Sequence, residues 1–202
     1  MGDDAKRLGD PMNTQDARAA EVLDFWFGAA PAPRAEWFRK DAAFDMQIGA
    51  RFGPLIEDAL AGRLDAWVHT PQGALARVLL LDQFTRNVFR GGARAFAGDA
   101  LALAAARSMV ARGDDQALPP LQRVFAYLPF EHAEDRAAQA ESLRLFAALG
   151  RAAPGLADYE DYSRRHAAVV ERFGRFPHRN AALGRATTPE EALFLQQPGS
   201  GF

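Results

Sequence analysis

The chain has 202 residues, with 24 Lys and Arg against 26 Asp and Glu, and no Cys. This length suits one domain with a sizeable core, and the near-neutral balance excludes a whole-chain attraction to nucleic acid or an anionic membrane. The missing cysteines exclude disulfides, Cys-ligated zinc, iron-sulfur clusters and thiol catalysis; they fit a reducing compartment, and the expected location is cytoplasmic.

Residues 1–13 are polar, with Asp3, Asp4, Lys6, Arg7 and Asp10, and lack the apolar stretch of a secretory signal. They read as a flexible tail ahead of one domain, 14–202. The chain holds 42 Ala and 21 Leu against 2 Ile, 8 Val and 5 Thr, which predicts an all-α fold. The basic residues are 22 Arg and 2 Lys, a bias that fits genomic base composition or a need for forked, planar donors. The best apolar stretch, 100–106, is stopped by Arg107, so no membrane span is expected.

The first helix is predicted over 16–27, carrying Val22, Leu23, Phe25 and Trp26 and closed by Gly28. Asp41 is the N-cap of the next, which runs through Phe44, Ile48, Phe52, Leu55 and Leu60 and kinks at Pro54. Thr70-Pro71 opens a helix ending near Phe84, and Asp99 caps another that stops before Gly113. Pro119-Pro120 starts a short helix that stops before Pro129, because the residue preceding a proline disfavours helix. A long helix follows over about 131–149. The next spans about 158–173, with Gly174 beyond its end, and Thr188-Pro189-Glu190-Glu191 is a capping box for the last. About eight helices with short connections predict antiparallel helical hairpins.

Polar groups interrupt this pattern in three places. On the third helix Leu75, Val78 and Leu79 are followed in register by Asp82 and Arg86, with Gln83 and Asn87 as a second i,i+4 couple. A carboxylate in line with the core must be paired, so the segment is either an internal salt bridge pinning the loop at Arg90 or part of a site. The long helix begins with Glu131, Glu134 and Asp135, where free N–H groups favour carboxylates, so helix capping and function compete. Glu131 and His132 point about 100° apart if both are helical. The chain has neither H-E-x-x-H nor E-x-x-H, so no metal and no cofactor are expected; a spatial cluster of Glu131, Glu134, His166 and His178 is the minor alternative.

The third place is 164–185, with six Arg and two His against one Glu. His166 shares a helix face with Tyr159, Tyr162 and Phe173 and reads first as a satisfied core histidine. Phe84-Thr85-Arg86-Asn87 and Phe176-Pro177-His178-Arg179-Asn180 both set Phe shortly before Arg-Asn at a helix end, which predicts two Arg-Asn corners converging on one pocket. No nucleic-acid module accompanies the arginines, and nucleic acid is not an expected partner.

Leu23-Asp24-Phe25-Trp26-Phe27-Gly28, Trp37-Phe38, Leu80-Leu81-Asp82-Gln83-Phe84-Thr85-Arg86-Asn87, Tyr127-Leu128-Pro129-Phe130-Glu131-His132-Ala133-Glu134, Arg172-Phe173-Gly174-Arg175-Phe176-Pro177-His178-Arg179-Asn180 and Pro198-Gly199-Ser200 together resemble the bacterial domain-of-unknown-function family 924. The resemblance spans residues 20–202. It implies an all-α, TPR-like right-handed stack, and it brings no established reaction, substrate or catalytic residue. One departure is Thr85, where the family pattern carries proline; a less rigid turn after Phe84 is expected, which bears on the geometry of Arg86.

The leading expectation is a binding protein that presents Arg86, Asn87, Arg175 and Arg179 to an anionic small molecule or peptide, in a pocket that includes Asp82, Gln83, Arg90, Glu131, Glu134, His166, His178 and Asn180. The competing class is an enzyme with Glu131 as general acid or base, His132 or His178 as proton carrier and an Arg as clamp. In a third reading these groups only weld the helices together. Trp26 and Trp37 fit a core or a homo-oligomer face equally.

Overall fold

A computed structural model describes residues 11–29 and 32–201. Most of the expected tail, residues 1–10, lies outside the described residues. All regular structure among the described residues is helical. The first helix, α1, spans Pro11–Phe27. Helix is present from the first described residue, earlier than predicted, and no breaker interrupts it before Gly28.

Helix α2 (Ala42–Leu60) is capped by the Asp41 carboxylate, which accepts from the Ala43 and Phe44 amides at 3.0 Å, and it continues through Pro54. Helix α3 (Pro71–Val78) is capped by Thr70 Oγ1, which accepts from Gly73 N at 3.0 Å. The helix does not end at Phe84. A fully buried π-helical turn, Leu79–Phe84, carries it into α4 (Thr85–Val88), and Thr85 Oγ1 donates to the Leu81 carbonyl at 2.8 Å. The expected turn after Phe84 is therefore continuous helix. Widened turns of this kind recur where a helix must present side chains for function.

Helix α5 (Asp99–Arg112) ends at Gly113, whose φ of 74° is the left-handed conformation glycine adopts without cost. Asp99 is its first residue and makes no cap. Its N-cap is Gly98, where an added Cβ would meet the Leu81 carbonyl oxygen at 2.1 Å. Only glycine lets the start of α5 lie against the π turn, and that approach sets Asp99 beside Arg86.

The largest revision lies between Pro129 and Asp135. Helix α6 (Pro120–Glu131) passes through Pro129, and α7 (Arg136–Ala152) starts only after Asp135, whose carboxylate accepts from Ala137 N and Ala138 N at 3.1 and 3.3 Å. Proline removes a single helical donor, and burial of Leu128 and Phe130 on either side holds the turn. Glu131 thus closes a helix instead of opening one. Helix α8 (Asp158–Phe173) ends at Gly174, φ 70°, and α9 (Pro189–Leu195) carries the predicted capping box.

Helix α7 packs on α6 and α8, while α3 packs on α1, α5 and α6. Between the first helices sits an aromatic cluster. Trp26 stacks on Trp37 at 6.0 Å between ring centroids and meets Phe84 at 5.3 Å and Phe125 at 5.6 Å; Trp37 Nε1 donates to the Trp26 carbonyl at 3.0 Å. Both tryptophans are buried, so they are core. No helix among the described residues is long and apolar enough to cross a membrane.

Candidate functional site

The π turn delivers Asp82 into the interior with no exposed surface. Its carboxylate is fully engaged: His132 Nδ1 lies 2.8 and 3.0 Å from the two oxygens, Gln83 Nε2 donates at 2.6 Å, and Arg86 Nη1 stands at 3.1 Å. Burial works to raise its pKa, but Arg86 and then His132 outweigh that and hold it well below the usual carboxylate range. Gln83 and Asn87 do not pair with each other as predicted.

Arg86 also donates to the Asp82 carbonyl at 2.6 Å and makes a two-pronged contact with Asp99, at 2.9 and 3.1 Å. From the far end of the chain, Arg179 Nη1 donates to the same Asp99 carboxylate at 3.1 Å. Its guanidinium lies against Phe96 and Phe176, 4.8 and 4.5 Å from their ring centroids. The arginines of the two predicted corners do converge. The asparagines do not, because Asn87 donates to Asp45 at 2.7 Å and Asn180 to Glu191 at 3.2 Å.

Glu131, 3% exposed, sits at the C-terminal end of α6, where helix carbonyls point at it and the N-terminal stabilisation expected from sequence is missing. Gln139 Nε2 occupies that helix end, donating to the Glu131 and Ala133 carbonyls at 2.7 Å each. Desolvation, and then the Asp82 charge, raise the Glu131 pKa to about 8. Its Oε1 lies 3.1 Å from His166 Nδ1, and Oε2 has no hydrogen-bond partner among the described residues.

His166 Nδ1 donates to the Tyr162 carbonyl at 2.9 Å, and the ring stands 6.1 Å from His132 and 5.5 Å from Phe176. Burial favours the neutral form of His132, His166 and His178. Burial lowers His132, with Asp82 opposing and Arg86 adding to the fall; burial and then His132 lower His166 to about 3; burial and then Arg179 lower His178 to about 4. For His132 this places the proton on Nδ1, facing Asp82, and the lone pair on Nε2.

Residues 22–199 match a family model described as bacterial protein of unknown function, DUF924. The chain belongs to this family. A solved protein of unknown function from Agrobacterium tumefaciens, ATU0120, is similar to it at 46% identity and a TM-score of 0.82, over 90% of this chain and 98% of that one. No curated protein matches.

Three other residues expected to bind ligand in this DUF924 chain pair with neighbouring segments. Arg175 donates to Glu191 at 2.6 and 2.8 Å and so fixes α9, and Arg90 makes two 2.9 Å bonds to Asp45 on α2. Glu134 accepts from Arg185 at 2.6 and 2.9 Å and from the Phe176 amide at 2.7 Å; burial opposes, but these donors keep its pKa low. Two surface grooves of about 310 and 350 Å³ lie elsewhere, between α7 and α8 and among α5, α6 and α7, and none of Asp82, His132, Arg86 or Arg179 lines them. The sequence reading missed Asp99, Asp45, Glu191, Arg185 and Gln139; Asp99 carried a signal as an acidic helix start, but it pointed to capping.

Proposed function

We propose that this protein binds a small anion, with Arg86 and Arg179 as the clamp and the Asp82–His132 dyad beside it. The observation that carries this reading is the surplus of donors on Arg179. Among the described residues only its Nη1 has a hydrogen-bond acceptor, and its buried Nε has none. Burial, and then repulsion from Arg86, lower its pKa to about 10. A carboxylate or phosphate oxygen would satisfy the orphaned donor and offset the repulsion, and Arg is the side chain suited to that contact. The side chains of Arg86, Asp99 and His132 are 20%, 22% and 15% exposed, an opening that suits a small anion better than an extended peptide.

Native mass spectrometry of protein purified without denaturation, joined to a thermal-shift screen of phosphorylated and carboxylate metabolites in EDTA, tests this reading. It predicts a co-purified anion or a shift that Arg179→Met removes. No co-purified molecule together with no shift contradicts it. A second reading, acid-base chemistry on that anion, is favoured by one observation: Asp82 lies 2.8 Å from His132 Nδ1, so that in the neutral ring Nε2 carries the lone pair. It predicts turnover of the bound anion that His132→Gln abolishes while leaving binding in place.

A further inference from the structure

We propose that Glu131, His132 and His166 form a binding site for a divalent transition metal of the zinc class. One ligand atom from each lies within 4.8 Å of the other two. One carboxylate and two imidazoles are a ligand set of catalytic zinc, which leaves a fourth position open. Bonds of about 2.0–2.2 Å set donors roughly 3.4 Å apart in a tetrahedral site, so the three side chains close up on the metal as it binds.

Two further features point to a cation. The first is Glu131 Oε2, which belongs to a residue 3% exposed and has no hydrogen-bond partner among the described residues. Its lone pairs are what a metal would take. The second is the way the His132 imidazole is held. Metal-binding histidines give their other ring N–H to a carboxylate or a backbone carbonyl, which fixes the ring and raises its basicity. His132 Nδ1 meets Asp82 at 2.8 Å, which turns Nε2 to the metal, while His166 Nδ1 lies between the Tyr162 carbonyl at 2.9 Å and Glu131 Oε1 at 3.1 Å.

The charges near the site are Asp82, Asp99 and Glu134 against Arg86, Arg179 and Arg185, three of each sign. Ionised Glu131 with a divalent cation leaves one excess positive charge. An anion in the fourth position closes that balance, and in this respect alone the inference rests on the anion-binding reading. With metal bound, His132 is a ligand and no longer a proton carrier.

The test uses metal alone. Apoprotein prepared with chelator and dialysed is titrated with Co²⁺ and, separately, Zn²⁺, with visible absorption and bound-metal content as readouts. The expected result is one equivalent of Zn²⁺ retained through gel filtration and a tetrahedral Co²⁺ spectrum that Zn²⁺ displaces. Glu131→Gln and His166→Gln should each weaken binding at least tenfold, while Glu57→Gln, at an exposed carboxylate of α2 paired with Arg94, leaves it within twofold; circular dichroism confirms that each variant is folded. Absence of stoichiometric binding, or binding unchanged in both ligand variants, overturns the proposal. Anion binding measured in EDTA stands or falls separately.

Discussion

Glu191→Gln tests whether Arg175 and Asn180 hold α9 in place or serve a ligand. The Glu191 carboxylate is buried and accepts from Arg175 Nε and Nη2 at 2.6 and 2.8 Å, from Asn180 at 3.2 Å and from the Thr188 amide at 2.8 Å. The Arg175 bond is the largest of the causes that lower its pKa from 4.5 to about 2. At about 1.4 kcal/mol per pKa unit, the shift corresponds to a ceiling of about 3 kcal/mol. Solvent reaching Arg175, 28% exposed, reduces that figure. A carboxyl whose folded pKa is depressed stabilises the fold above its unfolded pKa, and that contribution fades as pH falls through the folded value. Linkage therefore gives a wild-type advantage over Glu191→Gln of up to about 3 kcal/mol at pH 7, falling to about 1.4 kcal/mol at pH 3. Urea unfolding of both proteins at pH 7, 5 and 3 measures it. An advantage that does not shrink with acid, or no advantage at pH 7, refutes the argument.

Other expected outcomes follow from packing and pairing. Gly98→Ala forces a Cβ onto the Leu81 carbonyl oxygen and should cost about 1–3 kcal/mol in chemical denaturation, weakening the contact of Asp99 with Arg86 and Arg179. Asp82→Ala leaves Arg86 and His132 facing a lost charge and should cost about 3–5 kcal/mol, whereas the double variant Asp82→Leu, Arg86→Met should stay close to wild-type stability and lose anion binding. If that double variant keeps both stability and binding, the pair only joins helices. Trp26→Ala empties the centre of the aromatic cluster and should cost about 3–5 kcal/mol, read by calorimetry.

The sequence was most legible where structure is decided by neighbours. Asp41, Thr70 and the Thr188–Glu191 box cap as predicted, and Gly113 and Gly174 end helices in the left-handed conformation, because caps and stops are written within a few residues. The junction at Pro129 was misread because a local rule about proline competes with burial of Leu128 and Phe130, which is set by distant packing. That single error placed Glu131 at the positive end of a helix, when it lies at the negative end of the one before. The π turn leaves no pattern in the sequence, although the core register of Asp82 and Arg86 marked the right segment.

Site membership was half legible for the same reason. Arginines and carboxylates in core register are unusual and were found. Their partners were not, since Asp99, Asp45 and Glu191 are surface-like residues in sequence that become partners only when helices meet. The argument that Glu131 and His132 diverge holds inside a straight helix. His132 keeps helical backbone dihedrals beyond Glu131, and one donor atom of each side chain still comes within 4.8 Å of the other.

The central claim, that the arginine–histidine cluster receives a small anion, is tested most directly by NMR of the Arg179 Nε–H and the His132 ring nitrogens during titration with inorganic phosphate and, separately, acetate, in EDTA. A bound oxygen at the orphaned donor predicts saturable shifts confined to Arg86, Arg179 and His132 for at least one probe, at or below about 10 mM, and their loss in Arg179→Met. Shifts that never saturate, or that spread evenly over surface arginines while Arg179 stays unmoved, contradict it.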